Sequence, residues 1–107
     1  MPVNVTLFEN LSDVARDADG ALDRARQPSL YDRMEWLART ATLCTHDERP
    51  VVARARNGAG TAWLFLARGR TGARSLTSWY TLEYDLVRDG RAERLAEAIA
   101  RAVRPLG

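Results

Sequence analysis

Apolar and polar residues alternate at the start of the chain, with Val3, Val5 and Leu7 set against Asn4 and Thr6 before Phe8. Successive side chains of an extended chain point to opposite faces, so this pattern predicts a short strand with one apolar face. The period then lengthens. Leu11, Val14, Ala15, Ala18, Leu22 and Ala25 recur at helical spacing, Asn10 can cap the helix, and Asp13 and Asp17 lie near the positive end of its dipole. Gly20 weakens such a helix without ending it. Pro28-Ser29 breaks the run, and Ser29 with Asp32 resembles a capping box in which aspartate replaces glutamate. A second helix is expected from there, with Leu30, Met34, Leu37, Ala41 and Cys44 within about 80° of arc. Trp36 and Leu43 share a second face. Either this helix is buried on two sides, or the face of Trp36 and Leu43 receives a partner.

After Pro50 the period becomes two: Val51, Ala53 and Ala55 against Val52, Arg54 and Arg56. Asn57-Gly58-Ala59-Gly60 tolerates positive φ, and the apolar run 62–67 predicts a strand covered on both faces, so the two strands form a hairpin. A turn at 69–72 leads to a third strand of this group within 74–87. There Leu76, Tyr80, Leu82, Tyr84 and Leu86 share one parity and Trp79 takes the other, with a bend expected near 78–81. Arg88-Asp89-Gly90 suggests a turn. Ala92, Leu95, Ala96, Ile99 and Val103 mark a last helix, with Glu97 and Arg101 as a favourable pair four residues apart. The expected order is β-α-α-β-β-β-α, an α/β (α+β) fold with a mainly antiparallel sheet and helices packed on its faces.

Length narrows this to one domain over 1–107. The chain is 46% hydrophobic and 28% charged, which excludes a disordered or collagen-like polymer. The apolar run 62–67 is far shorter than the roughly 18 residues of a membrane span, and the first residues lack a secretory signal, so a cytoplasmic protein is expected. Cys44 and His46 are the only cysteine and the only histidine, too small a set for a metal site.

Charge is uneven along the chain. Residues 1–48 hold nine acids and five arginines, residues 49–82 hold six arginines and no acid, and 83–107 hold five of each. Arg54, Arg56, Arg68, Arg70 and Arg74 fall on strand ends and turns of the basic middle, with Trp79 and Tyr80 available to stack on bases. They suggest a small basic module for an anionic partner such as nucleic acid. Against this, all 16 basic residues are arginine, a usage that genomic base composition can produce without selection for phosphate contacts.

The element order is similar to the opening of the GNAT acyltransferase fold, which runs β-α-α-β-β-β-α before a fifth strand. The stretch Gln27-Pro28-Ser29-Leu30-Tyr31-Asp32-Arg33-Met34-Glu35-Trp36-Leu37 resembles the Pro-x-Leu/Phe and Trp-Leu region near the start of CelD-like acyltransferases, linked to cellulose or exopolysaccharide production. Arg49-Pro50-Val51-Val52-Ala53-Arg54, the Gly58 turn, Trp63-Leu64-Phe65-Leu66 and Thr77-Ser78-Trp79-Tyr80-Thr81 follow in that family's order. The resemblance implies a GNAT-like N-terminal half-domain whose companion C-terminal half holds acyl-CoA.

GNAT enzymes cradle the CoA pyrophosphate on backbone N–H groups where the fourth strand meets its helix, through Gln/Arg-x-x-Gly-x-Gly/Ala. Here Val87-Arg88-Asp89-Gly90-Arg91-Ala92 aligns with it. Gly90 and Ala92 match, Val87 departs, and Asp89 places a negative charge where the pyrophosphate would sit. The groove also needs a fifth strand splayed from the fourth. The resemblance therefore implies a chain that is not catalytic alone and holds no cofactor by itself, acetyl-CoA or acyl-CoA entering only with a catalytic half. A homo-oligomer or a companion half is the expected partner, met through an unpaired sheet edge or the face of Trp36 and Leu43. A third class is a small enzyme using Glu83 and Asp85, with Tyr80 or Tyr84, as acid and base; the same acids also suit a solvated strand face.

Overall fold

The computed structural model describes residues 3–42, 48–70, 72–76, 86–90 and 95–106. Alternation produces strands where it is cleanest. Asn4–Phe8 forms β1, Arg49–Arg56 forms β2 and Gly60–Gly69 forms β3, and each pairs antiparallel with the next. The β2–β3 hairpin closes on an Asx turn, in which the Asn57 side-chain oxygen accepts from the Ala59 and Gly60 N–H groups at 2.8 and 2.9 Å.

Where one strand is expected within 74–87, the described residues show two short ones at its ends. Gly72–Ser75 (β4) pairs with residues 66–69 of β3, and Val87–Gly90 (β5) pairs with residues 60–63 of the same strand, both antiparallel. Leu76 N–H donates to the Phe65 carbonyl, and Val87 stands opposite Trp63. The bend expected near 78–81 lies outside the described residues. Arg88-Asp89-Gly90, expected as a turn, is part of β5.

Helix α1 (Leu11–Ala18) starts as its sequence implies, with Ser12 N–H donating to the Asn10 side chain at 2.8 Å. It ends earlier than the spacing through Ala25 predicts. Asp19 takes the left-handed conformation (φ 49°) and Gly20 follows at φ 86°, so two consecutive residues turn the chain out of the helix. The helix expected from Ser29 is also divided. Leu30–Asp32 makes one 3-10 turn, Arg33 is extended, and α2 spans Met34–Ala41. Leu43 and Cys44 lie outside the described residues. The last helix, α3 (Leu95–Val103), carries the expected Glu97 to Arg101 pair at 2.8 Å.

Strand parity divides these helices between the two faces. Val52, Trp63, Phe65, Ala67, Leu76 and Val87 pack with Val14, Ala18, Leu22 and Leu37 beneath α1 and α2. Ala53, Ala55 and Ala62 pack with Leu95 and Ile99 beneath α3. The result is a mixed α+β fold, an antiparallel sheet of five strands between two helical layers. Fully burying a side chain such as Leu22 or Ile99 contributes about 1.5–3 kcal/mol. No helix among the described residues is long and apolar enough to cross a membrane.

Candidate functional site

The strand register sets Thr6, Arg54, Trp63 and Val87 in one row beneath α1 and α2, and Asn4, Arg56, Thr61 and Asp89 in the next. Arg54 follows Val52 on this inner face and is only 6% exposed. A buried guanidinium needs both a counter-charge and acceptors. Asp17, near the end of α1, supplies the charge: Arg54 Nη1 donates to its two carboxylate oxygens at 2.6 and 2.7 Å. Nη2 donates to Thr6 Oγ1 at 2.9 Å, and the guanidinium carbon lies 5.6 Å from the Phe8 ring centre. Arg56 reaches the same carboxylate at 3.4 Å and also donates to Thr61 Oγ1. One acid thus serves two arginines and ties α1 to β1 and β2. Arg54 Nε and Trp63 Nε1 are buried without a hydrogen bond.

A second polar group gathers at β5. The connection after α1 brings Gln27 to the strand, where its amide donates to the carbonyls of Ala21 and Arg88, each at 3.0 Å. Arg26 donates to Asp89 at 2.5 Å, and this hydrogen bond, reinforced by the carboxylate charge, raises the Arg26 pKa above its ordinary value. Arg33 in turn donates to the Gln27 and Pro28 carbonyls at 2.9 and 3.0 Å, so residues 26–28 are held between β5 and the start of α2. Gly90 closes β5 at φ 78°, and a Cβ there would stand 2.6 Å from the Ala59 carbonyl oxygen. The β2–β3 turn thus occupies the space that this glycine leaves. Ala92 lies outside the described residues.

The five arginines singled out from the basic middle do not form one surface. Arg54, Arg56 and Arg74 share the parity of the α1 face, whereas Arg68 takes the parity of the α3 face and Arg70 follows the end of β3. Arg54 and Arg56 share Asp17, and Arg74 binds Glu48 at 2.7 and 3.0 Å. Trp79 and Tyr80 lie outside the described residues, as do Glu83, Asp85 and Tyr84. Trp36 meets the ring of Tyr31 edge to face, with centroids 5.1 Å apart and planes at 88°. Its partner in the expected second stripe, Leu43, is outside the described residues.

A shallow depression of about 270 Å3 opens beside α2, lined by Leu22, Asp23, Arg24, Arg33 and Glu35. Its charges are mixed. Comparison of the chain with protein-family models, with curated proteins and with solved structures finds no match.

Two residues central to these polar groups, Asp17 and Gln27, do not stand out in the sequence as site residues. The available signal was Arg54, an arginine spaced two residues from Val52 on a face that must be apolar; such a residue demands an acid from a neighbouring element. Gln27 gives no comparable signal, because its acceptors are backbone carbonyls, one six residues before it and the other on β5, and a backbone carbonyl leaves no mark in the sequence.

Proposed function

We propose that this chain is the N-terminal, non-catalytic half of a GNAT-like N-acyltransferase, or a stand-alone relic of one, acting by docking to a catalytic half or subunit. The carrying observation is the layered order: β1, two helices on one face, the consecutive antiparallel strands β2 and β3 with β4 and β5 beside them, then α3 on the opposite face. It supports the order expected from the resemblance, with the fourth strand divided in two.

The end of β5 supports a scaffold in preference to a cofactor loop. The GNAT pyrophosphate cradle uses glycine so that a phosphate can approach the backbone. Here the approach to Gly90 is made by the Ala59 carbonyl, whose oxygen repels anions. The Asp89 carboxylate stands next to it, held by Arg26. A thioester-cofactor groove also requires a strand splayed from the fourth one, and among the described residues β5 pairs with β3 alone. In an assembled enzyme these features leave acyl-CoA to the catalytic half, and this half supports its companion.

Calorimetric titration of the chain with acetyl-CoA tests the reading. No saturable heat is expected. Saturable one-to-one binding would overturn the non-catalytic assignment.

A further inference from the structure

The two edges of the sheet are finished differently. Along β4 and β5, Arg74 meets Glu48, Arg26 holds Asp89, and the Gln27 amide donates to the Arg88 carbonyl. Charges and a bonded connection guard that side. At the other edge β1 pairs only with β2 among the described residues, and its span Asn4–Phe8 contains no charged residue and no proline. Val3 and Leu7, 39% and 44% exposed, are the large hydrophobics most open to solvent among the described residues. Both belong to this one segment and share the parity of Val5, on the α3 side of the sheet. An open edge presents backbone donors and acceptors ready to pair, and proteins that remain monomeric block such edges with charge, proline or a cover.

We propose that two copies of this chain pair through β1, antiparallel across a two-fold axis, so that the sheet continues from one copy into the other. With Val5 opposite Val5 of the second copy, Val3 stands opposite the second copy's Leu7 and Leu7 opposite its Val3. A single symmetry operation therefore covers both exposed apolar side chains on one face. On the other face Asn4 meets Thr6, and no like charges are brought together. A two-fold contact requires a patch complementary to itself, and this strand supplies one. Its size sets the strength. A five-residue strand and two side chains fall short of the roughly 1,200 Å2 that stable interfaces bury, so the dimer forms reversibly and depends on concentration.

Sedimentation velocity on the full chain, from about 10 µM to about 1 mM, should show the mass rising from monomer toward dimer. Leu7→Lys, at an exposed position, should weaken association at least about tenfold while leaving the circular dichroism and unfolding midpoint unchanged. Val5→Cys in a Cys44→Ser background should give a covalent dimer under mild oxidation, because the two-fold axis sets the new thiols face to face. A monomer at every concentration, an association insensitive to Leu7→Lys, or a Val5→Cys variant that does not cross-link would each overturn the proposal. Binding of acetyl-CoA would overturn the acyltransferase-half reading and leave this inference standing.

Discussion

Beneath α1 and α2 the sheet presents Trp63, Phe65, Val52 and a buried arginine; beneath α3 it presents Ala53, Ala55 and Ala62. The first face fills a deep space with large side chains and holds its helix by an ion pair as well. On the second, alanines let Leu95 and Ile99 come down onto the backbone of β2 and β3. Large residues make the first face sensitive to truncation, and small ones make the second sensitive to enlargement. The contrast also separates two kinds of information. Apolar packing follows strand parity, whereas the Arg54 to Asp17 pair joins residues far apart in sequence.

The largest test is truncation on the α1 face. Trp63→Ala should cost about 3–5 kcal/mol in urea unfolding, because Trp63 is 1% exposed and its removal leaves a cavity. Next is the ion pair. Asp17→Ala leaves a buried guanidinium without its counter-charge and should cost about 3 kcal/mol, reduced somewhat from a fully buried pair because Asp17 is partly exposed. Replacing both members, Asp17→Asn with Arg54→Met, should recover much of that loss, since two neutral partners no longer pay for desolvation. If the double variant is no better than Asp17→Ala, the pair contributes more than mutual compensation.

Two smaller substitutions probe the other side of the contrast. Ala55→Leu, at a position with no solvent exposure beneath α3, should destabilise by about 1–3 kcal/mol through overpacking. Gly90→Ala should cost about 1–3 kcal/mol, from its positive φ and the nearby Ala59 carbonyl. The least effect is expected on the outer surface of α3, where Glu97→Ala should change stability by no more than about 0.5 kcal/mol, the pair with Arg101 being exposed on both sides. A lower thermal midpoint for Glu97→Ala than for Ala55→Leu would reverse the ranking and show that α3 depends on its surface more than on its seat.

Much of the scaffold was legible because it obeys local rules. The alternation of Val51, Ala53 and Ala55 with Val52, Arg54 and Arg56 placed β2 correctly and separated its two faces, and Asn10 marked the start of α1. The end of α1 is not legible, because Gly20 alone carries a modest helix penalty, while Asp19 adopts the left-handed conformation that terminates the helix. Arg88-Asp89-Gly90 has the composition of a turn, yet pairing with residues 60–62 makes it a strand. Arg54 signals that an acid must meet it but not which one, and the place of Gln27 beside β5 is not legible, since Asp17 and the Arg88 carbonyl are brought to their partners only by folding.

The proposed non-catalytic role requires β5 to be closed to a thioester cofactor. A 15N-labelled sample titrated with millimolar acetyl-CoA reads this residue by residue. The amide signals of Val87, Arg88, Asp89 and Gly90 should stay in place. Saturable shifts confined to those residues and the start of α3 would contradict it.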